Sequence, residues 1–500
     1  MPENYKAEFP LTAQAFEQFV RRCDMRTSPS GASRVGIVVL PWVLTPMPWF
    51  SMAVAIGLAQ RGRAITIIWD DTPFPRPSPE YDTQHALIEP MVGRLASRFA
   101  VVSLSQFEAA PARASDAERL RALATQNLTW ELRGGPPVAA DLERAVHIER
   151  QLGLALGRLR TLFAREAFDG GLIVPGGVYS TSGVHLWAGS EAGWRVATFD
   201  AGVGWIQTCN RGVAAQQTDI PQAFAALSAL PPEQLAALRQ AAKVEVYARR
   251  QARDRAKFQA VRAGELATPP AEVMLPLNVD FDTAALGRHA HFDSTADWIT
   301  STVSYVLEHT SQRVAVRQHP AERRPMERSQ FDIGQLLAAR FGAEPRLQFI
   351  PADAPVSSYD LVEQAQTVLP FVSTIGIEAA ALGKTVLIAG NSYYAGLGFV
   401  WSATSRAEYF DLLGAALQGA LPPLADQTNR AWLCYYLTQL CNRVWTPFTA
   451  QPSDFWQWVR RAPRALYQDP AVSDLLTALD SDIPLSLVRH QRFAGKRTQA

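Results

Sequence analysis

Two adjacent hydroxyl residues and a nearby acid have the spacing of an anion-binding helix start. Ser373 and Thr374 follow an apolar run, residues 368–372, whose length predicts a buried strand. The Ala-rich segment IGIEAAALG after them predicts a helix, and a second buried strand is predicted at 385–389. This order places the residues up to Gly376 beyond the carboxyl end of a strand, where helix N–H groups attract phosphate.

The same segment allows two interpretations. In the first, Gly376 lets a ligand approach the backbone closely, and Glu378 accepts hydrogen bonds from a sugar or ribose diol. In the second, Ser373 only caps the helix and Glu378 is a favourable acid in its first turn. The segment alone leaves both interpretations open.

A polar cluster is predicted where three neighbouring strands of the second half end. Asn278 follows one strand in LPLNVDFD, and Arg317 and His319 flank the end of another in VRQHP, where Pro320 fixes the exit of the chain. Adjacent parallel strands end in one crevice, so these side chains are expected to meet those at Ser373. A lone His at a strand end is commonly a structural hydrogen-bonder. Arg is suited to a bidentate grip on phosphate, and His can donate to phosphate or to a leaving group, so we predict phosphate recognition.

Two other motifs do not support a function. The sequence Gly383-Lys384-Thr385 resembles the end of a P-loop, but position 378, where that loop needs Gly, is Glu. Asp280 and Asp282 form a D-x-D pair without further ligands nearby, which is weak support for a cation site. We therefore predict no metal and no tightly bound cofactor.

Candidate residues in the first half lie in loops that follow predicted strands. Asp200 directly follows the strand RVATF and is our candidate for the general base that reaches an acceptor hydroxyl, although turns and caps account for most Asp residues at such positions. Tyr179, His185 and Arg211 are the candidate acceptor-side residues. The other polar residues considered there are Asp70, Asp71 and Asp219.

Composition excludes several classes of protein. With 500 residues, 48% of them apolar, the chain is expected to form two or three globular domains. A net charge of +1 gives no electrostatic case for a nucleic-acid partner. Four scattered cysteines without a CxxC pair and the lack of a secretory signal at the start predict a cytoplasmic protein.

The order of predicted elements indicates an α/β fold with two doubly wound sheets. First-sheet strands are predicted at 34–40, 64–69, 99–104, 170–175 and 195–199. Second-sheet strands are predicted at 273–277, 314–317, 347–350, 368–372 and 385–389. A long charged helix and a Thr-Pro-Pro joint between them give the predicted domains 1–265, 266–445 and a C-terminal helical segment, 446–500, that returns to the first domain.

These features resemble bacterial capsule or surface polysaccharide biosynthesis proteins of the GT-B glycosyltransferase type. The matching stretches are LPLNVDFD, the DWI helix start, VRQHP and VSTIGIEAAALGKTVLIAGNSYYAGLG, which cover most of the second domain. The first domain is similar more loosely, through GGVYSTSG, FDAGVGW and QTDIP. The expected fold is therefore GT-B, with two Rossmann-like domains facing a central cleft.

The resemblance implies a nucleotide-sugar donor in the second domain and an acceptor in the first. The His-Pro pair is similar to the pair that CMP-sugar transferases, including bacterial sialyltransferases and capsule Kdo transferases, use on the nucleotide phosphate. His319 would then bind donor phosphate with the help of Ser373 and Thr374, and Glu378 would hold ribose or sugar hydroxyls. The acidic catalytic motif of those transferases is not matched, so Asp200 rests on its position alone.

We therefore predict a metal-independent glycosyltransferase that uses a nucleotide sugar, CMP-sugar before UDP-sugar. Its acceptor would be a surface glycan or lipid-linked glycan at the inner face of the membrane, with peripheral membrane or export-complex association left open. Two alternatives remain: a nucleotide-sugar epimerase on the same scaffold, and a non-catalytic polysaccharide assembly protein.

Overall fold

The computed structural model divides the chain into two compact units. Unit 1 comprises Met1–Leu128, Val138–Asp219 and Cys441–Ala500, and unit 2 comprises Thr129–Pro137 and Ile220–Leu440. The structure describes residues 14–23, 31–42, 47–72, 79–202, 205–253, 261–264, 270–282, 284–446 and 457–497. Each unit is built around its own sheet.

Thirteen strands are present in the described residues. They are β1 (Arg34–Val39), β2 (Ala64–Trp69), β3 (Ala100–Ser103), β4 (Leu172–Pro175), β5 (Val196–Gly202), β6 (Trp205–Cys209), β7 (Val273–Pro276), β8 (Val314–Arg317), β9 (Leu347–Ile350), β10 (Thr367–Val368), β11 (Thr385–Ile388), β12 (Trp401–Ser402) and β13 (Val444–Trp445).

The principal helices of the described residues surround these strands. They are α1 (Met47–Gln60), α2 (Pro79–Leu95), α3 (Ala117–Glu131), α4 (Ala139–Arg165), α5 (Ser182–Glu191), α6 (Ile220–Ser228), α7 (Pro232–Arg250), α8 (Thr295–His309), α9 (Ile333–Phe341), α10 (Ser358–Gln364), α11 (Ile375–Ala381), α12 (Arg406–Leu417), α13 (Gln427–Tyr435), α14 (Pro463–Tyr467), α15 (Pro470–Asp480) and α16 (Leu485–Arg497).

Unit 1 contains a seven-stranded sheet with the order β13-β6-β5-β4-β1-β2-β3. The strands from β5 to β3 are parallel, whereas β6 and β13 pair antiparallel at one edge. The apolar runs RVGIVV and AITIIW form β1 and β2, which are buried except at their first residues, as expected for strands covered on both faces. Among the described residues, no helix is both long and apolar enough to cross a membrane.

Unit 2 contains a six-stranded sheet with the order β12-β11-β10-β7-β8-β9, and every pairing in it is parallel. Counted within the unit, this is the doubly wound order 3-2-1-4-5-6, and β1 to β6 of unit 1 follow the same order. The predicted α/β fold class with two Rossmann-like sheets is confirmed. Strand order reverses between β7 and β10, so their carboxyl ends are where such a sheet opens a crevice.

The strand before Ser373 is shorter than predicted. The sequence predicts a strand over 368–372, but β10 spans only Thr367–Val368. The chain continues along the sheet, since Gly390 N donates to Phe371 O at 2.9 Å. Pro370 has no N–H to donate, which interrupts the regular ladder at this point.

The division into units differs from the predicted domains for residues 220–264. The sequence places them in the first domain and puts the boundary at 265/266, which lies outside the described residues. In the structure α6 and α7 belong to unit 2, where both pack against α13. Charge and a Thr-Pro-Pro joint mark a change in composition, but they do not show which sheet a helix packs on.

Candidate functional site

A pocket lies at the carboxyl edge of the unit 2 sheet, at the point where the strand order reverses. Its empty space, including the part that is open to solvent, is about 590 Å³. Loops after β7, β8 and β10 and the start of α10 supply most of its wall. The lining residues are Arg249, Pro276, Leu277, Arg317, His319, Pro320, Ser358, Tyr359, Ser373, Thr374, Ile375 and Glu378.

His319 lines this pocket as a neutral hydrogen-bond donor. Its Nδ1 accepts a hydrogen bond from the backbone N–H of Ala321 at 3.2 Å and so caps the short turn that begins at Pro320. Burial, with the charges of Arg317 and Arg324, lowers the pKa of the imidazole to about 4. The ring is therefore neutral near pH 7, and because Nδ1 is the acceptor, Nε2 carries the proton. A neutral N–H donor is suited to a phosphate oxygen.

Arg317 supplies positive charge to the pocket, but its guanidinium also organises the wall. The side chain is 1% exposed. It donates from Nη1 to Pro351 O, from Nη2 to Val356 O at 3.1 Å and from Nε to Ser358 Oγ at 3.4 Å. Burial lowers its pKa to about 10, so it remains charged near pH 7. It forms no ion pair among the described residues, although the charge of Asp353 acts on it from a greater distance.

These contacts show which donors of Arg317 the protein already uses, while its predicted bidentate grip on phosphate stays a prediction. The sequence shows an Arg at a strand end but not the loop that folds over it. A buried guanidinium needs acceptors for its N–H groups, and the 351–358 loop supplies them. The guanidinium of Arg317 therefore holds the 351–358 loop against the end of β8.

Ser373 and Thr374 form the start of α11 without serving as its side-chain cap. Thr374 is the N-cap residue, yet within the described residues its side chain makes no capping hydrogen bond. The Ser373 carbonyl accepts a hydrogen bond from the Tyr394 hydroxyl at 2.8 Å, which fixes the turn. Both hydroxyl residues line the pocket, so the interpretation of Ser373 as only a cap is not supported by this geometry.

Gly376 has a packing role that differs from the predicted one. A Cβ added at this position would lie 2.7 Å from Tyr394 Oη and 2.8 Å from Pro370 Cγ. The absence of a side chain therefore lets Tyr394 and Pro370 pack against α11, and Gly376 is not among the residues that line the pocket. The predicted approach of a ligand to the backbone of Gly376 is not tested by this contact and stays a prediction.

Asn278 positions the turn from outside the pocket lining. Its Oδ1 accepts a hydrogen bond from the backbone N–H of Val372 at 3.2 Å. This bond joins the end of β7 to the residue before Ser373, across the point where the strand order reverses. The predicted donor-binding role of Asn278 is not tested by this contact and stays a prediction.

Glu378 lies in the pocket wall within a buried polar cluster. The residue is 4% exposed, and its Oε1 is 3.5 Å from Arg249 Nη1. The Tyr359 hydroxyl also forms a hydrogen bond with Glu378. The pKa of Tyr359 is raised well above its ordinary value, mainly because the side chain is buried. Tyr359 therefore stays a neutral donor, and Glu378 is held by protein groups on two sides.

Sequence reasoning missed Arg249 and Tyr359 among the lining residues. Arg249 is one of many basic residues in a charged helix, and nothing in the sequence distinguishes it from its neighbour Arg250. Tyr359 could have been found, because it begins the helix after β9, and β9 lies beside β8 in the sheet. The start of each helix that follows a parallel strand lies at the ligand-binding edge of the sheet, and this position identifies Tyr359 as a candidate.

In unit 1, Asp200 lies within β5 and not after it. The strand extends to Gly202, three residues beyond the predicted end, because it pairs antiparallel with β6. Asp200 Oδ2 accepts a hydrogen bond from Gln207 Nε2 at 3.4 Å on that neighbouring strand. No contact in the structure tests a catalytic role, which stays a prediction.

Tyr179 and His185 lie around the turn that follows β4. The Tyr179 ring packs against Trp42, with 5.5 Å between the ring centroids. His185 is fully buried, and its Nε2 lies 2.8 Å from Asp70 Oδ2, which also accepts a hydrogen bond from Thr181. Although burial opposes it, the bonds from His185 and Thr181 lower the pKa of Asp70. The placement of His185 supports the end of β2, and contact with an acceptor stays a prediction.

Arg211 is an exposed residue of unit 1 that pairs with the C-terminal segment. Its Nε and Nη2 donate to Asp482 at 3.1 and 2.7 Å, and this partner raises the pKa of Arg211. Its predicted acceptor contact is untested. Among the described residues, no group of three or more His, Cys, Asp or Glu side chains could hold a metal ion, and metal independence likewise stays a prediction.

Comparison with protein families places a match on the segment that contains the pocket. Residues 228–410 match the model of a family described as capsule polysaccharide biosynthesis protein. The predicted resemblance to that family is confirmed for this segment. A search of curated proteins finds no match.

Several solved structures are similar to the chain at low identity. They include the KpsC β-Kdo 2,7 transferase of Thermosulfurimonas dismutans, with 14% identity and a TM-score of 0.34 over 60% of this chain and 88% of that chain. MurG of Acinetobacter baumannii has 12% identity and a TM-score of 0.29 over 86% of this chain and 98% of that one. The UDP-GlcNAc 2-epimerase of Methanocaldococcus jannaschii, solved with UDP-GlcNAc and UDP, has 12% identity and a TM-score of 0.29 over 81% and 99%. At this identity the similarities assign no activity to the chain.

Proposed function

We propose that the protein is a glycosyltransferase of capsule or other surface polysaccharide biosynthesis. It would move a sugar from a nucleotide-sugar donor, CMP-sugar before UDP-sugar, to a glycan or lipid-linked glycan acceptor. The observation that carries the proposal is the pocket where the unit 2 strand order reverses, with His319 on one side and the Ser373-Thr374 turn on the other. The family match over residues 228–410 supports the link to capsule synthesis.

The pocket chemistry supports binding of a phosphate group. His319 offers a neutral N–H donor, and the hydroxyl residues Ser373 and Thr374 line the same pocket. Arg317 adds a buried positive charge, and within the described part of the chain no carboxylate is in direct contact with it. Charge-assisted and neutral donors that converge on one pocket suit the phosphate oxygens of a nucleotide.

In the proposed reaction an acceptor hydroxyl forms a bond to the anomeric carbon of the donor sugar. The bond between that carbon and the nucleotide phosphate oxygen breaks, and the nucleotide leaves with the bonding electrons. Donors at His319, Ser373 and Thr374 would stabilise the negative charge on the departing phosphate. Asp200 is our proposed base for the acceptor proton. We place the reaction in the cytoplasm, at the inner face of the membrane, on the same resemblance to capsule enzymes.

Nucleotide titration with product analysis tests this function. Calorimetric titration of the full chain with CMP and UDP should show binding of at least one nucleotide, with CMP bound more tightly. His319→Ala should weaken that binding roughly tenfold or more, because one donor to phosphate is lost. Binding of neither nucleotide would refute the proposal. Release of free, epimerised sugar from donor alone would indicate the epimerase.

A further inference from the structure

Arg249 is a pocket residue to which neither the sequence motifs nor the family resemblance gives a role. It lies in the last turn of α7, in a segment of unit 2 that the sequence assigns to the first domain. Its side chain is 12% exposed and lines the pocket together with Arg317, His319 and Glu378. The guanidinium of Arg249 is therefore placed where it can contact a ligand in the pocket.

The protein contacts of Arg249 hold its guanidinium without using all of its donors. Nη2 donates to the neutral Gln439 Oε1 at 2.8 Å. The carboxylates are farther away, because Nη1 is 3.5 Å from Glu378 and Nε is 3.6 Å from Glu245. Those separations give charge attraction but lie at or beyond the limit of a good hydrogen bond. Nε has no hydrogen-bond partner among the described residues.

The charged groups of the pocket wall leave a net positive charge. Arg249 and Arg317 are cations, Glu378 is the carboxylate, and His319 is neutral near pH 7. Glu378 is engaged by Tyr359 and lies beside Arg249. The lining residues alone therefore carry one excess positive charge. Glu245, 3.6 Å from Arg249 Nε but outside the lining and 38% exposed, offsets that charge only in part because solvent screens it. An excess of positive charge in the wall favours an anionic ligand over a neutral one.

We propose that Arg249 donates to the phosphate oxygens of the nucleotide ligand and that Glu378 is a positioning residue that orients Arg249. This inference rests on the proposed function and deepens it. A phosphate oxygen at normal hydrogen-bond length would replace the long 3.5 Å contact to Glu378, and the planar guanidinium can present two parallel N–H groups to it. In this proposal Glu378 acts through Arg249. The family resemblance implies a different role, in which Glu378 binds a sugar or ribose diol directly.

Arg250 gives a matched control for the test. It is the next residue of α7, carries the same charge and pairs with Glu363 instead of lining the pocket. Titrations of the full chain with CMP and with uncharged cytidine compare wild type, Arg249→Met and Arg250→Met. We expect Arg249→Met to lower CMP affinity tenfold or more and to leave cytidine affinity unchanged, since only CMP carries the phosphate. Arg250→Met should bind both ligands as wild type does.

Two further variants separate binding from folding and from a direct role of Glu378. Arg249→Lys keeps the charge and should recover part of the CMP affinity. Glu378→Gln keeps the size of the side chain but removes the charge that orients Arg249, so it should lower CMP affinity and leave cytidine affinity unchanged. Loss of cytidine affinity in Glu378→Gln would show direct contact with the ribose and overturn the positioning role. If wild type binds CMP and Arg249→Met binds it equally well, this inference is overturned and the proposed function stands. If wild type binds neither CMP nor UDP, the proposed function itself is overturned.

Discussion

His319 links the chemistry of the pocket to the pH dependence of stability. Burial is the main reason that the pKa of His319 is lowered from its ordinary value of 6.5 to about 4 in the folded protein. Between these values the unfolded chain binds a proton that the folded protein does not, so stability is lost as pH falls through this window. We expect the free energy of unfolding to decrease between about pH 6.5 and 4, by at most about 1.4 kcal/mol per pH unit for one proton. The half-buried ring makes the real slope smaller.

Urea unfolding at a series of pH values measures that slope. In the His319→Asn variant, the amide oxygen can still accept the Ala321 N–H as an N-cap, but the side chain does not titrate. The variant should therefore lose part of the slope and keep its stability at pH 7 within about 1 kcal/mol. Equal slopes for the two proteins would contradict the assigned pKa.

Glu322, one turn after His319, is a second buried group with a testable charge state. It is 1% exposed, and its Oε2 accepts hydrogen bonds from Gln318 Nε2 at 3.0 Å and from Ser329 N at 3.1 Å. Burial raises its pKa above the ordinary value. Stability from this group is therefore present at low pH and is lost as pH rises through the raised pKa.

The variants Glu322→Gln and Glu322→Ala separate hydrogen bonding from charge. Gln keeps an oxygen acceptor for both donors, so the free energy of unfolding should change by less than about 1 kcal/mol. Because Gln does not titrate, the free energy of unfolding of this variant should no longer decrease as pH rises. Ala leaves two donors without their acceptor and opens a cavity, which should cost about 2–4 kcal/mol. Denaturant melts at pH 5 and 8 give both values. A Gln variant as unstable as the Ala variant would show that the negative charge is required.

At single positions, the sequence identified residue types better than their contacts. The placement of His319, Ser373 and Thr374 in one pocket follows from the rule that neighbouring parallel strands end in one crevice. The acceptors of Arg317 come from a loop more than 30 residues later, and no local pattern indicates them. Arg249 reaches the pocket from a helix whose packing partner the sequence does not reveal.

At the scale of elements, Gly376 fixes how α11 approaches its neighbours. Gly376→Ala would place Cβ 2.7 Å from Tyr394 Oη, the group that holds the Ser373 carbonyl. We expect a loss of about 1–3 kcal/mol in unfolding free energy from this overpacking and weaker CMP binding, because the Ser373-Thr374 turn must shift. Differential scanning calorimetry and CMP titration measure the two effects.

Gly93 provides the comparison for that substitution. It lies inside α2, and an added Cβ there meets no described atom within 4 Å. Gly93→Ala should be neutral or stabilising by up to about 1 kcal/mol, since Ala is the better helix former. If Gly376→Ala were equally harmless, the packing role assigned to Gly376 would be wrong.

Element types could be predicted where a single local rule applies. Short, largely apolar runs give β2, β8 and β9 with the predicted bounds. The two-residue strands β12 and β13 were missed, because such short pairings depend on which residues lie beside them and not on periodicity. The extension of β5 through Asp200 follows from its antiparallel partner β6, which the sequence did not predict.

At the scale of the whole molecule, the units are not continuous pieces of sequence. Unit 2 takes residues 129–137, which are the end of α3 and the loop before α4, and unit 1 takes the C-terminal segment. A linear reading that divides a chain at composition changes cannot find such insertions. The inserted segment is bound firmly, because Arg133 O accepts hydrogen bonds from Gln330 N at 2.8 Å and Ser329 Oγ at 3.0 Å.

Hydrogen bonds lead from this inserted segment towards the pocket. Ser329, which donates to Arg133 O, also donates its backbone N–H to Glu322 Oε2. Glu322 in turn accepts from Gln318, the residue before His319. Disturbing the 129–137 segment should therefore weaken ligand binding although none of its residues lines the pocket.

Gly134 and Gly193 allow a matched test of this connection. Both have left-handed backbones, with φ of 73° and 79°, so Ala at either position carries the same strain of about 1 kcal/mol. Only at Gly134 would the new Cβ meet neighbours, 3.1 Å from Asp280 Oδ2 and 3.2 Å from Ser329 Oγ. Gly134→Ala should therefore lower the midpoint of thermal unfolding further than Gly193→Ala and weaken CMP binding several-fold, while Gly193→Ala keeps wild-type affinity. The backbone strain is the same in both variants, so any difference between them comes from the contacts of the new Cβ with Ser329 and Asp280. Equal CMP affinities would therefore mean that the 129–137 segment stabilises unit 2 without positioning the His319 turn.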